Sequence, residues 1–203
     1  MLLALFGVIL TAPILCVTAL LVALSSRGPL FYSQVRVGID RRSRNSGKPH
    51  PRRRVDVGGK PFRIYKFRTM YVNSSEAMSA RWATPGDPRI TPIGHWLRKF
   101  RLDELPQLFN VLRGDMNIVG PRPEQPGIFR QLNQEIDGYR DRQRVAPGIT
   151  GLAQINVKYD QSIDDVRRKV AFDLKYIEKR SMLGDLTIMA RTVPVVLFRR
   201  GAV

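Results

Sequence analysis

Residues 1–24 read MLLALFGVILTAPILCVTALLVAL, a run without one charged side chain. About 20 apolar residues in helical form cross the hydrocarbon of a bilayer, so this run predicts a membrane helix. A secretory signal would open on a basic region and hold a shorter apolar core, so the segment is expected to stay in the mature protein. Pro13 stands in its middle, where it removes one backbone donor and its ring collides with the preceding turn. The expectation is a break or sharp kink, with two half-helices entering and returning; an ordinary kinked spanning helix is the alternative. Thr11 is placed to help satisfy the carbonyls that the proline frees. The basic character of everything after the run puts Arg27, Arg36 and the remainder on the cytoplasmic face under either reading.

A length of 203 residues suits one domain, divided here into a membrane segment at 1–26 and a cytoplasmic, membrane-associated part at 27–203. The chain carries 34 Lys and Arg against 17 Asp and Glu. That excess asks for anionic partners: lipid headgroups, phosphorylated small molecules or nucleic acid. Cys16 is the single cysteine and reads as a small hydrophobe, and His50 and His95 are the only histidines. A disulfide framework and a Cys- or His-rich metal site are thereby excluded.

Beyond Arg27-Gly28-Pro29 the stretch Leu30 to Val37 reads as extended chain. RRSRNSGKPHPRRR, Arg41 to Arg54 within a basic insert at 41–57, has no apolar periodicity and suits a solvated loop lying against anionic lipid. Phe62 to Arg68 alternates apolar with basic residues, so Phe62, Ile64 and Phe67 are expected to face a core and the basic residues the other way. A short helix is expected from Ser74, another from Ile93 to Arg101, and a third from Asp103 to Arg113 that Gly114 stops. Asp115 to Gln154 is loop-rich around one helix within Gln125 to Tyr139. Ser162 caps a helix with the stripe Val166, Val170, Leu174 and Ile177. A final amphipathic helix from Asp185 to Phe198, interrupted by Pro194, is fit for the membrane interface. The fold class is therefore α/β, dominated by helices, with a small irregular β component.

Asp103 and Glu104 open a predicted helix with Pro106 in its first turn, where backbone N–H groups lack partners and anions are favoured. A carboxylate pair there is most often a cap. Arginines change its meaning: Arg98 and Arg101 lie within about a turn, and Arg122 is held between Pro121 and Pro123, which restrict its backbone. A guanidinium so presented suits two phosphate oxygens at once. Asp173 falls inside the apolar stripe of its helix, so its carboxylate needs a buried partner, with Arg98 the first expectation. These groups are what phosphoryl chemistry on Mg²⁺ uses. A membrane-tethered nucleic-acid binder or a scaffold without catalysis is the alternative, but the arginines gather around acidic residues and Pro/Gly turns rather than among aromatics.

The ordered series Gly28-Pro29-Leu30-Phe31-Tyr32-Ser33-Gln34 with Arg36-Val37-Gly38, Lys66-Phe67-Arg68-Thr69-Met70, Leu102-Asp103-Glu104-Leu105-Pro106-Gln107, Gly114-Asp115-Met116, Val119-Gly120-Pro121-Arg122-Pro123 and Pro147-Gly148-Ile149-Thr150-Gly151 resembles the bacterial sugar transferase family, the monotopic phosphoglycosyl transferases. The resemblance implies a re-entrant helix kinked at a Ser-Pro pair, interfacial helices, Mg²⁺, and a place on the cytoplasmic face of the bacterial inner membrane. It implies transfer of a phosphosugar from a UDP-sugar to polyprenyl (undecaprenyl) phosphate with release of UMP, initiating glycoconjugate or polysaccharide assembly beside downstream glycosyltransferases. Carried over by position, Asp103 is the nucleophile and Glu104 its acidic neighbour, both toward the metal. Arg98, Arg122, Arg68, Pro121, Pro123 and Gln154 fall to the substrate, with Asp173 and Pro13 in support. Ala12-Pro13 replaces the usual Ser-Pro, the basic insert is longer than usual, and the residues that usually precede the apolar helix are missing, which suggests a truncated start or a reduced surface anchor.

Overall fold

The computed structural model describes residues 2–41, 58–72, 87–157 and 162–197. Most of the basic insert and the helix expected from Ser74 lie outside these. Helix α1, Leu2–Ser25, is long and apolar enough to cross a membrane. It runs through Pro13 as one helix rather than two halves. Its inward residues Ala4, Val8, Thr11, Leu15, Thr18 and Val22 keep one phase on both sides of the proline, while Leu3, Phe6, Ile9, Leu10, Val17, Leu20 and Leu24 stand outward and exposed. A stripe packed along its whole length holds the helix together across the missing donor. Pro13 frees the carbonyl of Ile9, four residues back. Thr11 does not serve that carbonyl, because its Oγ1 donates to Gly7 O at 2.7 Å.

Both ends of α1 rest on the same body. Ala4 joins Phe62, Ile64, Val111 and Met116 in one apolar cluster, and Val22 joins Phe67 and Leu97 in another. These clusters lie on opposite faces of β2, Pro61–Phe67, which pairs antiparallel with β1, Phe31–Val37, from Phe31 opposite Phe67 to Val37 opposite Pro61. The pleat alternates every residue, so Phe62, Ile64 and Lys66 share one face and Phe67 takes the other, where its ring stacks on Phe31 at 5.3 Å. Lys66 therefore shares the core face, against the expectation that all basic residues of this strand point away from it.

Helix α2, Pro92–Lys99, starts where Thr91 Oγ1 accepts from Gly94 N at 2.9 Å, with Pro92 at its first turn. The helix expected from Asp103 to Arg113 divides into a 3-10 turn, Leu102–Glu104, and α3, Gln107–Leu112. Arg101, at φ 53°, is the one non-glycine residue with positive φ among those described, and it reverses the chain between α2 and the turn. Left-handed backbone costs an L-residue about 1–2 kcal/mol. Asn110, fully buried on α3, ties this unit to β2: its Oδ1 accepts from Tyr65 N at 3.2 Å and its Nδ2 donates to Arg63 O at 2.7 Å.

The loop-rich middle contains two short strands, β3, Asn117–Val119, and β4, Gly148–Thr150, paired in parallel. Gly148 is obligatory there, since a Cβ on it would stand 2.1 Å from Gly120 N. Between the strands run α4, Pro126–Glu135, and a 3-10 segment, Tyr139–Arg144. Helices α5, Leu152–Asn156, α6, Ile163–Glu178, and α7, Met182–Leu197, complete the described chain. Ser162 caps α6 through Asp165 N at 3.2 Å, as expected. The last helix begins three residues earlier than expected and continues through Pro194; Ile188 is buried against Val119 and Tyr176, while Leu183, Leu186 and Val193 are exposed. Helices dominate and the sheets are small, as the sequence indicates.

Candidate active site

The 3-10 turn holds Asp103 and Glu104 side by side, each only 7% exposed. Two adjacent buried carboxylates repel each other and lose hydration, so neither can stay charged without cations nearby. Glu104 has three. Lys66 Nζ lies 2.6 Å from Oε1, Arg122 Nη2 2.9 Å from the same oxygen, and Arg101 Nη1 3.7 Å from Oε2. Burial opposes the charge, but Arg122, Lys66 and Arg101 outweigh it and hold the Glu104 carboxyl well below the usual carboxylate range. Asp103 has no ion pair within 4 Å among the described residues. Burial, with Glu104 adding to it, pushes its carboxyl up to about 6 although Lys66 and Arg98 pull the other way. The pair is thus unequal: one fixed anion and one carboxylate whose charge burial opposes.

Arg122 reaches Glu104 from a segment whose conformation is fixed from outside. Pro121 and Pro123 lack N–H groups, so the segment is held through its carbonyls. Pro121 O accepts from Gly148 N at 2.9 Å, Arg122 O from Arg142 Nη2 at 3.2 Å, Pro123 O from Arg36 Nη1 at 3.1 Å, and Glu124 O from Val37 N at 2.9 Å. Four consecutive carbonyls are therefore received by donors from three parts of the chain: Arg36 and Val37 of β1, Arg142, and Gly148. On the side-chain side, Arg122 Nη1 donates to Gln154 Oε1 at 3.1 Å. The structure brings together Asp103, Glu104, Arg122, Gln154 and the Pro121 and Pro123 that frame the arginine.

Three expectations need correction. Arg68 is not turned to the carboxylates. It is 5% exposed and donates to Pro29 O at 2.6 Å, Ser26 O at 2.5 Å, Ser26 Oγ at 3.1 Å and Val22 O at 3.3 Å. It closes the C-terminal end of α1, where helix carbonyls lack partners. Asp173 is buried at 1% exposure, as its place in the stripe requires, but its partner is Arg142, with Nε 2.8 Å from Oδ2. Arg98 donates instead to Thr69 Oγ1 at 2.9 Å, and its charge is felt by Asp103. The preference has a packing reason: Arg142 sits in the 3-10 segment lying directly on α6, with Tyr139 against Val170. Pro13 belongs to α1, where it borders a groove shared with Ile93 and Trp96.

Sequence reasoning missed Lys66, Arg142 and Asn110 as site-building residues. Pleat parity could have found Lys66, since it shares the face of Phe62 and Ile64. Among the described residues no cluster of three His, Cys, Asp or Glu side chains is arranged to hold a metal by itself.

The bacterial sugar transferase family model matches residues 1–199. The chain is 41% identical over 199 residues to the Aeromonas hydrophila UDP-N-acetylgalactosamine-undecaprenyl-phosphate N-acetylgalactosaminephosphotransferase, covering 98% of this chain and 43% of that protein. It is 40% identical over 196 residues to the undecaprenyl-phosphate glucose phosphotransferase of Komagataeibacter xylinus, covering 94% and 34%. It is 41% identical over 187 residues to the UDP-glucose:undecaprenyl-phosphate glucose-1-phosphate transferase of Escherichia coli K12, covering 91% and 36%. The chain spans less than half the length of each of these relatives. With the family model matched from end to end of the described residues, the chain belongs to the bacterial sugar transferase family.

Proposed function

We propose that the chain transfers a phosphosugar from a UDP-sugar to undecaprenyl phosphate, giving undecaprenyl diphosphate-sugar and UMP, at the cytoplasmic face of the bacterial inner membrane. The observation that carries this reading is the unequal buried pair: Glu104 fixed as an anion by Lys66, Arg101 and Arg122, and Asp103 beside it without an ion pair among the described residues. Asp103 Oδ attacks the phosphorus that bears the sugar, the bond from that phosphorus to the bridging oxygen breaks, and UMP leaves. A phosphate oxygen of the lipid then attacks the same phosphorus and releases the Asp103 carboxylate. Dividing one displacement into two is the use of covalent catalysis.

Arg122, rigidly presented, and Arg98, close to Asp103, supply positive charge for the diphosphate. Mg²⁺ fits the donor set: hard carboxylate oxygens, with substrate phosphates and water completing the shell. Asp103 and Glu104 would hold it, and when bound it neutralises charge on the diphosphate. The packing of both ends of α1 on one body supports a helix that lies in one leaflet and returns, rather than one that spans. Residues 1–26 then act as the membrane segment and 27–203 as the catalytic part, with anionic lipid around the basic residues. The relatives' names differ in the sugar, so donor choice is left to a panel of UDP-sugars. With Mg²⁺ and undecaprenyl phosphate, the purified protein should release UMP from at least one; release from none would overturn the proposal. With labelled sugar and no lipid, the label should stay on the protein, and Asp103→Asn should abolish it.

A further inference from the structure

Beside Glu104 lies a cavity of about 150 Å³ that the proposed chemistry at Asp103 leaves unused. Its polar lining is Arg101, Glu104, Gln154, Thr150 and Thr192, the two threonine hydroxyls being bonded to each other at 2.7 Å, and the rest is apolar, with Leu108 of α3, Ile155 of α5 and Val195 and Val196 of α7. The amide of Gln154 is oriented by Arg122, which takes its Oε1. Its Nε2 is buried and makes no hydrogen bond among the described residues. A buried donor left without an acceptor is costly, and this one belongs to a side chain that lines the cavity.

The apolar walls lead to the surfaces suited to a membrane. Leu108 lies against Gly7 of α1, 3.6 Å from where a Cβ would stand, and α7 leaves Leu186 and Val193 exposed. A ligand that matches this cavity has an anionic, acceptor-rich head and a hydrocarbon body continuous with the bilayer. A nucleobase does not match, since most of its polar edge would meet aliphatic side chains.

Accepting the transferase reading above, we infer that this cavity seats the phosphate-proximal isoprene unit of the lipid acceptor, with the Gln154 and Arg101 end of the cavity toward its phosphate. A cavity of ~150 Å³ holds a benzene-sized hydrocarbon. One isoprene unit fits and the whole chain does not, so the remaining units stay in the bilayer along α7 and α1. The lipid phosphate then arrives from the α5 and α7 side, next to the carboxylate pair.

The test uses the full chain in nanodiscs. Val195→Trp and Ile155→Phe fill the cavity and should raise the KM for undecaprenyl phosphate at least tenfold, with the KM for the UDP-sugar within twofold of wild type. On the wild type, polyprenyl phosphate carrying a diazirine in its first isoprene unit should label peptides containing Ile155 or Val195 and Val196. Unlabelled undecaprenyl phosphate should compete. Photolabelling needs no turnover, so label at these peptides in a preparation that releases no UMP would keep the lipid seat and discard the transfer chemistry. Normal wild-type turnover with label elsewhere, or a shifted KM for the nucleotide sugar in place of the lipid, would overturn the seat alone.

Discussion

Arg142 donates through Nε to Asp173 Oδ2 at 2.8 Å, and the same guanidinium donates to the carbonyl of Arg122 at 3.2 Å, so a buried ion pair is joined to the arginine that holds Glu104. Its Nη1 also donates to Tyr139 Oη at 2.7 Å, and both charged side chains are nearly excluded from water.

Removing one partner of such a pair leaves the other charge uncompensated, a loss of about 3–5 kcal/mol. Asp173→Ala should therefore lower the denaturation midpoint strongly. Arg98→Ala gives up one hydrogen bond, to Thr69, and should cost only about 1 kcal/mol. Denaturant titration of both variants in the same detergent checks the assignment. Equal losses would return Arg98 to the role of Asp173's partner.

Asp103→Asn should separate stability from activity. A carboxyl raised from the unfolded value of about 3.9 to about 6 is protonated more readily when folded, so its ionised form works against folding at neutral pH. The sign is that stability falls as pH rises from about 4 to about 6 and then levels. The amide lacks the charge, so the variant should melt higher at pH 7, by roughly 2–3 kcal/mol, with the gain vanishing below about pH 4. Transfer should be lost at every pH. A wild type whose kcat/KM climbs with pH through about 6, with the limb moved lower by added Mg²⁺, is the kinetic counterpart.

Asn110→Leu deprives two backbone groups of β2, Tyr65 N–H and Arg63 C=O, of their partners. At about 1–3 kcal/mol for each unmade bond, the variant should lose on the order of 2–6 kcal/mol. Because Lys66 follows Tyr65 directly, UMP release should fall with it, even where the protein remains folded. A leucine variant with the wild-type melting point would show that β2 is positioned by other means.

The proposed return of α1 to one side is open to labelling. In a Cys16→Ser background, Leu3→Cys and Arg27→Cys should both react with an impermeant maleimide applied to inside-out vesicles, and neither from the other face. Leu3→Cys reacting only from the non-cytoplasmic face would make α1 a spanning helix. Pro13→Leu should move the population in that direction.

How much of this was legible in the sequence depended on the range of the interaction. Asp103, Glu104 and Arg122 stood out because local spacing and flanking prolines already constrained them, and Asp173 because a carboxylate inside an apolar stripe needs a partner. The identity of that partner was not legible: Arg142 lies 31 residues away and is chosen by the packing of the Tyr139–Arg144 segment on α6. Arg68 failed for a related reason, since a basic residue in a motif reads the same whether it meets a phosphate or the carbonyls at the end of a helix. At Pro13 the local donor loss is visible in sequence, whereas the packed stripe that carries one helix past it is tertiary.

The outward stripe of α1, from Leu3 to Leu24, also decides how the proposed reaction is to be counted. A protein held by that face meets its lipid only among the molecules of its own patch of bilayer, so bulk molarity does not describe the encounter. Diluting undecaprenyl phosphate with inert phospholipid, at constant total amount in the tube, should slow turnover in proportion to its mole fraction at the surface. Adding more vesicles of the same composition should leave the rate per enzyme unchanged.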